Sequence, residues 1–254
     1  MPSIEYNKIW AERLQHFQSG NQKYSYYGEY WGNPDSGRLG YWTKRILATP
    51  PLKRILVKIL GKDFFRLPPG DLSYVVKAYI KPHVTSDSTV MEIGPGGGRW
   101  TKYLLHARTI VLVELNPIFF DYLNDRFPAV KEKFRYYQTA GDELNGIESA
   151  TVDFVFTFGT FVHLEPEVIQ SYLHHIERVL RSGGIATLQY AEKTKPAAQQ
   201  IDIFSNMTAE KMEAFVTQIP TFRIITHDVR LLNHSNIIVL EKRRQAQEPY
   251  DRQH

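Results

Sequence analysis

Apolar residues along this chain gather in short continuous runs separated by segments with helical spacing. Val90-Met91-Glu92-Ile93, Thr109 to Val113, Phe134-Arg135-Tyr136-Tyr137, Val152 to Phe158 and Ile185 to Tyr190 read as strands. Unbroken apolar runs suit strands buried on both faces, as in a parallel sheet with helices packed on each side. Helices are expected between them. Asn116-Pro117 opens one, Glu167 to Leu180 forms a second, and a third runs from Thr208, a capping residue, to Val216. Strands at Phe222 to Thr226 and Ile237 to Glu241 complete the set. Strands alternating with helices define an α/β domain.

The first run carries the most chemical information. Val90 to Thr101 ends an apolar strand in Glu92, places Gly94, Gly96 and Gly98 at alternate positions, and leads into an expected helix from Thr101. Glycines there permit a tight turn and leave no Cβ between the backbone and a ligand. The second run ends in Glu114, roughly 20 residues on, where an acid is placed to accept hydrogen bonds from ribose hydroxyls. A nicotinamide-dependent dehydrogenase shares these features, but its fingerprint is Gly-x-Gly-x-x-Gly, and this chain has Glu92-x-Gly94-x-Gly96-x-Gly98.

That motif resembles the first motif of class I S-adenosylmethionine-dependent methyltransferases, and the later segments resemble the same family in order. Asp142, in Thr139-Ala140-Gly141-Asp142, matches the acid that usually faces the adenine amino group. Val179-Leu180-Arg181-Ser182-Gly183-Gly184 resembles the turn before the fifth strand, with Ser182 where the family usually has Pro. The resemblance covers about residues 72–243. It implies a Rossmann-like sheet of seven strands with the last antiparallel, S-adenosylmethionine as cofactor, and Glu92, Gly94, Gly96, Gly98, Glu114, Asp142 and Phe158 as the residues that hold it. Trp31-Gly32-Asn33-Pro34, Phe158 to Leu164 and Gln189 to Lys195 further resemble a bacterial methyltransferase group associated with surface-polysaccharide and glycolipid genes. That resemblance implies a sugar hydroxyl as methyl acceptor.

Composition narrows the alternatives. The 254 residues are 43% hydrophobic, enough for one full core with an N-terminal extension. No apolar run approaches the roughly 18 residues of a membrane span. Met1 to Gly20 is mixed and charged, unlike a signal peptide, so a cytoplasmic protein is expected. The absence of cysteine removes disulfides, thiolate metal sites and cysteine nucleophiles. Net charge is +4, and seven basic residues against one acid fall between Lys44 and Arg66. The remainder is near neutral, so no nucleic-acid partner is expected.

The chain divides into an extension over 1–70, a cofactor-binding domain over 71–243 and a charged tail over 244–254. Within the extension, Tyr24, Tyr26, Tyr27, Tyr30, Trp31, Tyr41 and Trp42 form an aromatic cluster. Such rings stack on sugar faces, so Tyr30, Trp31 and Trp42 are candidate acceptor contacts in a lid; a buried cap or a homodimer contact is the alternative use. Leu52, Ile55, Leu56, Ile59 and Leu60 follow helical spacing with Lys53, Arg54, Lys58 and Lys62 off the stripe. Residues 44–66 thus read as a basic amphipathic helix, packed on the protein or in peripheral contact with an anionic membrane.

Transfer of a methyl group to a hydroxyl requires a proton acceptor, and histidine suits neutral pH. His163 follows the fourth strand, where open α/β sheets place ligands, and is the candidate general base; the alternative is a structural residue capping the next helix. Its action implies turnover rising with pH near the usual imidazole pKa. His234, before the last strand, is a second candidate at the acceptor. Phe156 is expected in the core, with Phe158 and Phe161 nearer the sulfonium site. Some sugar methyltransferases hold a divalent ion such as Mg, but no ligand spacing assigns residues to one here. The expected function is O-methylation of a saccharide or glycolipid. Methylation of another small metabolite at N or O, or non-catalytic binding of S-adenosylmethionine, are the alternatives.

Overall fold

The computed structural model describes residues 71–244. The aromatic cluster with Tyr30, Trp31 and Trp42, the basic segment 44–66 and the tail beyond Arg244 lie outside the described residues. Seven strands form one sheet: β1 (Thr89–Ile93), β2 (Thr109–Glu114), β3 (Phe134–Gln138), β4 (Val152–Thr157), β5 (Leu180–Ala191), β6 (Phe222–Asp228) and β7 (Ser235–Lys242). Their order is β3-β2-β1-β4-β5-β7-β6. β1 to β5 pair in parallel; β7 runs antiparallel to both β5 and β6. This is the Rossmann-like methyltransferase sheet, with its seventh strand reversed.

Residue alternation along the strands builds two cores. Met91, Ile93, Val155, Ala186, Leu188 and Ile238 face one side; Val90, Ile110, Leu112, Phe154, Phe156 and Val239 face the other. The first side is covered by α3 (Pro166–Val179), whose buried Ile169, Tyr172, Leu173 and Ile176 repeat at helical spacing, and by Met212 and Val216 of α5 (Ala209–Thr217). The second is covered by a short helix α1 (Asp71–Tyr74) that widens into a π-turn over Val75–Ile80, and by Leu123 of α2 (Ile118–Arg126). α4 (Pro196–Gln199) lies in the long excursion between β5 and α5. Among the described residues no helix is long and apolar enough to cross a membrane.

Two expectations change. The segment after the glycine turn is not an α-helix but a chain of tight turns around a 3-10 element at Thr101–Tyr103. Its bonds run from residue i+3 to i: Gly98 to Pro95, Leu104 to Thr101 and Ala107 to Leu104. Winding at three residues per turn aligns Thr101, Leu104 and Ala107, and all three are fully buried. The narrow stripe dictates the tighter coil. The expected turn at Leu180 to Gly184 instead lies within β5: Leu180 pairs with Val152, then the register shifts so that Ile185 pairs with Phe154. Gly183, at φ +79, absorbs that irregularity.

The strand order reverses between β1 and β4, since β2 and β3 lie to one side and β4 and β5 to the other. Such a switch point opens a crevice beyond the carboxyl ends of the two central strands.

Candidate active site

Glu92, Gly94, Gly96, Gly98 and Glu114 lie together at the carboxyl ends of β1 and β2 beside the crevice, with Asp142 in a separate loop. β1 ends on Gly94, whose backbone N–H donates to the Val113 carbonyl (2.8 Å). A Cβ on Gly94 would lie 2.0 Å from Thr160 Oγ1, at a φ of +72 that side chains rarely adopt. Only glycine lets the exits of β1 and β4 approach this closely. Among the described residues no atom lies within 4 Å of where a Cβ on Gly96, at φ +48, would sit, so its backbone is left bare there. Gly98 backs onto Leu123 and Phe127, seating the turn on the helix side. Arg126 donates to the carbonyl of Gly97 and holds the turn from outside.

Two carboxylates meet behind this turn. Glu92 is 2% exposed and accepts one hydrogen bond of 2.6 Å, from Thr101 Oγ1. Burial raises its pKa to about 8; the Thr101 bond opposes the shift, and the nearby Glu114 charge adds to it. Glu114 accepts from the backbone N–H groups of Gly96 (3.2 Å), Leu115 (2.8 Å) and Asn116 (3.1 Å). Its pKa is also raised by burial, against the pull of those bonds. Burial thus favours the protonated form of both carboxyls in the absence of a ligand, and a cation bound beside the turn would favour their ionised form.

This donor set fits S-adenosylmethionine. Bare backbone at Gly96 admits a ligand, the carboxylates suit its cationic sulfonium and ammonium groups, and about one of the roughly four acceptor directions on Glu114 remains for a ribose hydroxyl. Asp142 is exposed in the loop after β3, where Ser171 Oγ donates to its backbone carbonyl (3.0 Å). That loop is fixed to the β2 end by the Thr139 N–H, which donates to the Glu114 carbonyl (3.1 Å).

The aromatic residues separate by role. Phe156 is fully buried, as expected. Phe161 is equally buried and packs on Tyr172 (5.3 Å between centroids), so it belongs to the core and not to a sulfonium wall. Phe158 is half-buried against Trp100 (4.5 Å) at the crevice. Trp100 was not singled out from sequence; its place directly after the glycine turn is the signal that points to it.

His163 ends a 3-10 turn (Phe161–His163) after β4. It does not cap α3, whose N-cap Glu165 makes no side-chain capping bond. Its Nδ1 lies 3.0 Å from the Ile203 carbonyl. A carbonyl only accepts, so in the neutral ring Nδ1 carries the proton and Nε2 the lone pair. Burial lowers the His163 pKa to about 4, against the raising effect of the Ile203 bond. This corrects the sequence-based expectation of a transition near the usual imidazole value. The ring is uncharged at neutral pH because the excursion between β5 and α5 covers it.

Phe204 joins the two candidate histidines. Its ring meets His163 edge-on at 5.4 Å and His234 at the same distance and angle. His234 Nδ1 is buried with no hydrogen-bond partner among the described residues. Sequence reasoning missed Phe204, because nothing in its local sequence places it between residues 41 and 30 positions away. Among the described residues no group of three or more His, Asp or Glu side chains could hold a metal ion.

Residues 90–184 match the protein family described as "Methyltransferase domain". The fold is similar to geranyl diphosphate C-methyltransferase from Streptomyces coelicolor A3(2), at 11% identity over 69% of this chain and 82% of that one, with a TM-score of 0.56. A protein from Pyrococcus horikoshii OT3 is similar at 14% identity over 77% and 93% of the two chains, also with a TM-score of 0.56. A structure from echinomycin biosynthesis, concerned with converting a disulfide bond into a thioacetal group, is similar at 15% identity over 68% and 82%, with a TM-score of 0.53. No curated protein sequence matches the chain. Residues 90–184 thus form a methyltransferase domain, on the fold these structures share.

Proposed function

We propose that this protein O-methylates a hydroxyl of a saccharide or glycolipid, with His163 accepting the proton. The observation that carries the reading is the Ile203–His163 hydrogen bond, which leaves Nε2 as the basic nitrogen of a ring that is neutral at physiological pH. Bound S-adenosylmethionine would supply an electrophilic methyl group on a sulfonium. Glu92 and Glu114, with the glycine turn, would hold the cationic ligand; Gly96 and Thr101 position the two carboxyls. Gly94, Thr157 and Thr160 fix the ends of β1 and β4 against each other, Thr157 Oγ1 donating to the Ile93 carbonyl at 2.9 Å. A base with a pKa near 4 is weak, but a hydroxyl that has gained a methyl group is far more acidic than an imidazolium. His163 therefore suits a proton that leaves as the carbon–oxygen bond forms.

The saccharide class rests on the resemblance that implies a sugar hydroxyl as acceptor and on the aromatic segment with Tyr30, Trp31 and Trp42; residues 1–70 are assigned to acceptor recognition because the cofactor motifs all lie beyond Asp71. His234 stands on the acceptor side through Phe204. Residues 44–66 add a peripheral contact with anionic lipid, worth roughly 1 kcal/mol per basic residue near the surface.

The test is an acceptor screen with labelled methyl donor on the full chain and on a variant lacking residues 1–42. The full chain is expected to label a glycan or glycolipid, and the truncated chain to bind S-adenosylhomocysteine normally while losing that labelling. Equal labelling by both removes the lid reading; labelling only of amines or other small metabolites replaces the saccharide.

A further inference from the structure

The excursion between β5 and α5 spans residues 193–208 and reaches the candidate site with three consecutive residues. The Ile203 carbonyl accepts from His163 Nδ1, the Phe204 ring lies between His163 and His234, and the Ser205 N–H donates to the Val162 carbonyl at 2.8 Å. A segment this long has little secondary structure of its own beyond α4. Its position is set by where it is tied down.

The ties converge on Glu192, directly after β5 and 4% exposed. One carboxylate oxygen accepts from Thr194 Oγ1 (2.7 Å) and the Thr194 N–H (3.3 Å), at the start of the excursion. The other accepts from the Ala209 N–H (2.8 Å), in the first turn of α5, and from Asn236 Nδ2 (2.7 Å) on β7. The Glu192 N–H donates to the His234 carbonyl at 3.2 Å. A single side chain thus grips both ends of the excursion and the strand that follows His234. The Lys193 N–H closes the neck on the Met207 carbonyl (2.9 Å), and Lys195 Nζ ties the same segment to the carbonyls of Leu232 (2.7 Å) and Ser235 (2.8 Å). Burial on its own would raise the Glu192 pKa; the hydrogen bonds from Thr194, Ala209 and Asn236 outweigh it and hold the carboxyl ionised.

We propose that Glu192 is a positioning residue that sets the Ile203 carbonyl, and through it the tautomer and orientation of His163. It touches neither acceptor nor cofactor; it acts through the excursion. This inference rests on the reading of His163 as proton acceptor for its effect on turnover, but the tautomer itself is observable without any activity.

The experiment uses the full chain labelled with 15N-histidine, with Glu192→Gln and Thr194→Val as variants. Gln keeps the shape of Glu192 but gives up one of its two acceptor oxygens. Thr194→Val removes a single bond without stranding a buried charge, and keeps the test available where Glu192→Gln does not fold. In the wild type, His163 is expected to show a single neutral tautomer protonated at Nδ1. In both variants the spectrum should shift towards a mixture of tautomers, and in Glu192→Gln kcat should fall about tenfold, with S-adenosylhomocysteine affinity within twofold of wild type. Added to His163→Ala, Glu192→Gln should cause no further loss. An unchanged His163 spectrum in the folded variants overturns the proposal, as does a full additional loss in the double variant. Wild-type turnover in His163→Ala alone, with the tautomer still shifted by Glu192→Gln, overturns the proton-acceptor reading and leaves the positioning role standing.

Discussion

Glu92 and Glu192 both leave little surface exposed, 2% and 4%, but Glu92 is enclosed far more deeply, and their environments push them in opposite directions. Glu92, behind the glycine turn, receives one hydrogen bond among the described residues and sits near a second carboxylate; its pKa rises to about 8. Glu192, on the acceptor side, receives four hydrogen bonds, and its pKa falls. Depth of burial and the supply of donors together decide whether a carboxyl is charged: Glu114 accepts three N–H groups and its pKa is still raised. Where burial outweighs the donors, as at Glu92, the carboxyl favours its protonated form, and a bound cation would favour the ionised one. Where the donors outweigh burial, as at Glu192, the carboxylate becomes a structural tie. The first arrangement suits binding and the second suits positioning.

The largest expected effect lies on the acceptor side. His163→Ala should lower turnover by roughly a hundredfold or more while S-adenosylhomocysteine affinity, by calorimetry, changes little. With the His163 pKa depressed to about 4, wild-type turnover should stay level from pH 6 to 8 and decline only in acid, provided the chemical step limits. A decline centred near neutrality would assign the titration to another group.

Next in size is Glu114→Ala, on the cofactor side. Removing the carboxylate strands the N–H groups of Gly96, Leu115 and Asn116 and deletes the ribose acceptor. Cofactor binding should weaken by about 1–3 kcal/mol. Unchanged affinity, or tight binding of NAD, would break the assignment of this half of the crevice.

The comparison itself is sharpened by pH-dependent unfolding of the ligand-free protein. Glu92 binds its proton more tightly folded than unfolded, so its contribution is favourable below about pH 4.5 and is lost as pH rises towards 8. Glu92→Gln should therefore stabilise the ligand-free protein at pH 8, by on the order of a few kcal/mol, with the gain shrinking towards pH 4.5. Glu192 has the opposite sign. Its stabilisation is present above the ordinary glutamate pKa and disappears as pH falls through the lowered folded value, so Glu192→Gln should destabilise at neutral pH. Thermal melts of both variants at pH 5 and 8 test the pair, and parallel behaviour would remove the distinction. The smallest effect is expected at Thr194→Val, which loses one of Glu192's four bonds, at about 1 kcal/mol.

The glycine-turn half of the candidate site was largely legible in the sequence. Glu92, Gly94, Gly96, Gly98 and Glu114 fall within two strand ends and one turn, and Gly96 meets Glu114 because β1 and β2 are neighbours in parallel register. Continuous apolar runs determined the strands, and a single reversal in strand order determined where they open a crevice. The α-helix expected after Gly98 was not formed, because the buried stripe of Thr101, Leu104 and Ala107 repeats every three residues and not every 3.6.

Local pattern decided much less on the acceptor side. His163, Phe204 and His234 come from three separate loops, and Glu192 gathers partners from Thr194, Ala209 and Asn236. Sequence alone determined that His163 follows a buried strand, and with that its approximate place beside the crevice. The tertiary structure alone decided that the excursion from β5 covers it, that a backbone carbonyl holds its Nδ1 proton, and that burial keeps its ring neutral. The physical reason lies in range. Strand periodicity and glycine conformation are properties of adjacent residues, whereas tautomer and charge depend on which distant groups exclude water from the ring.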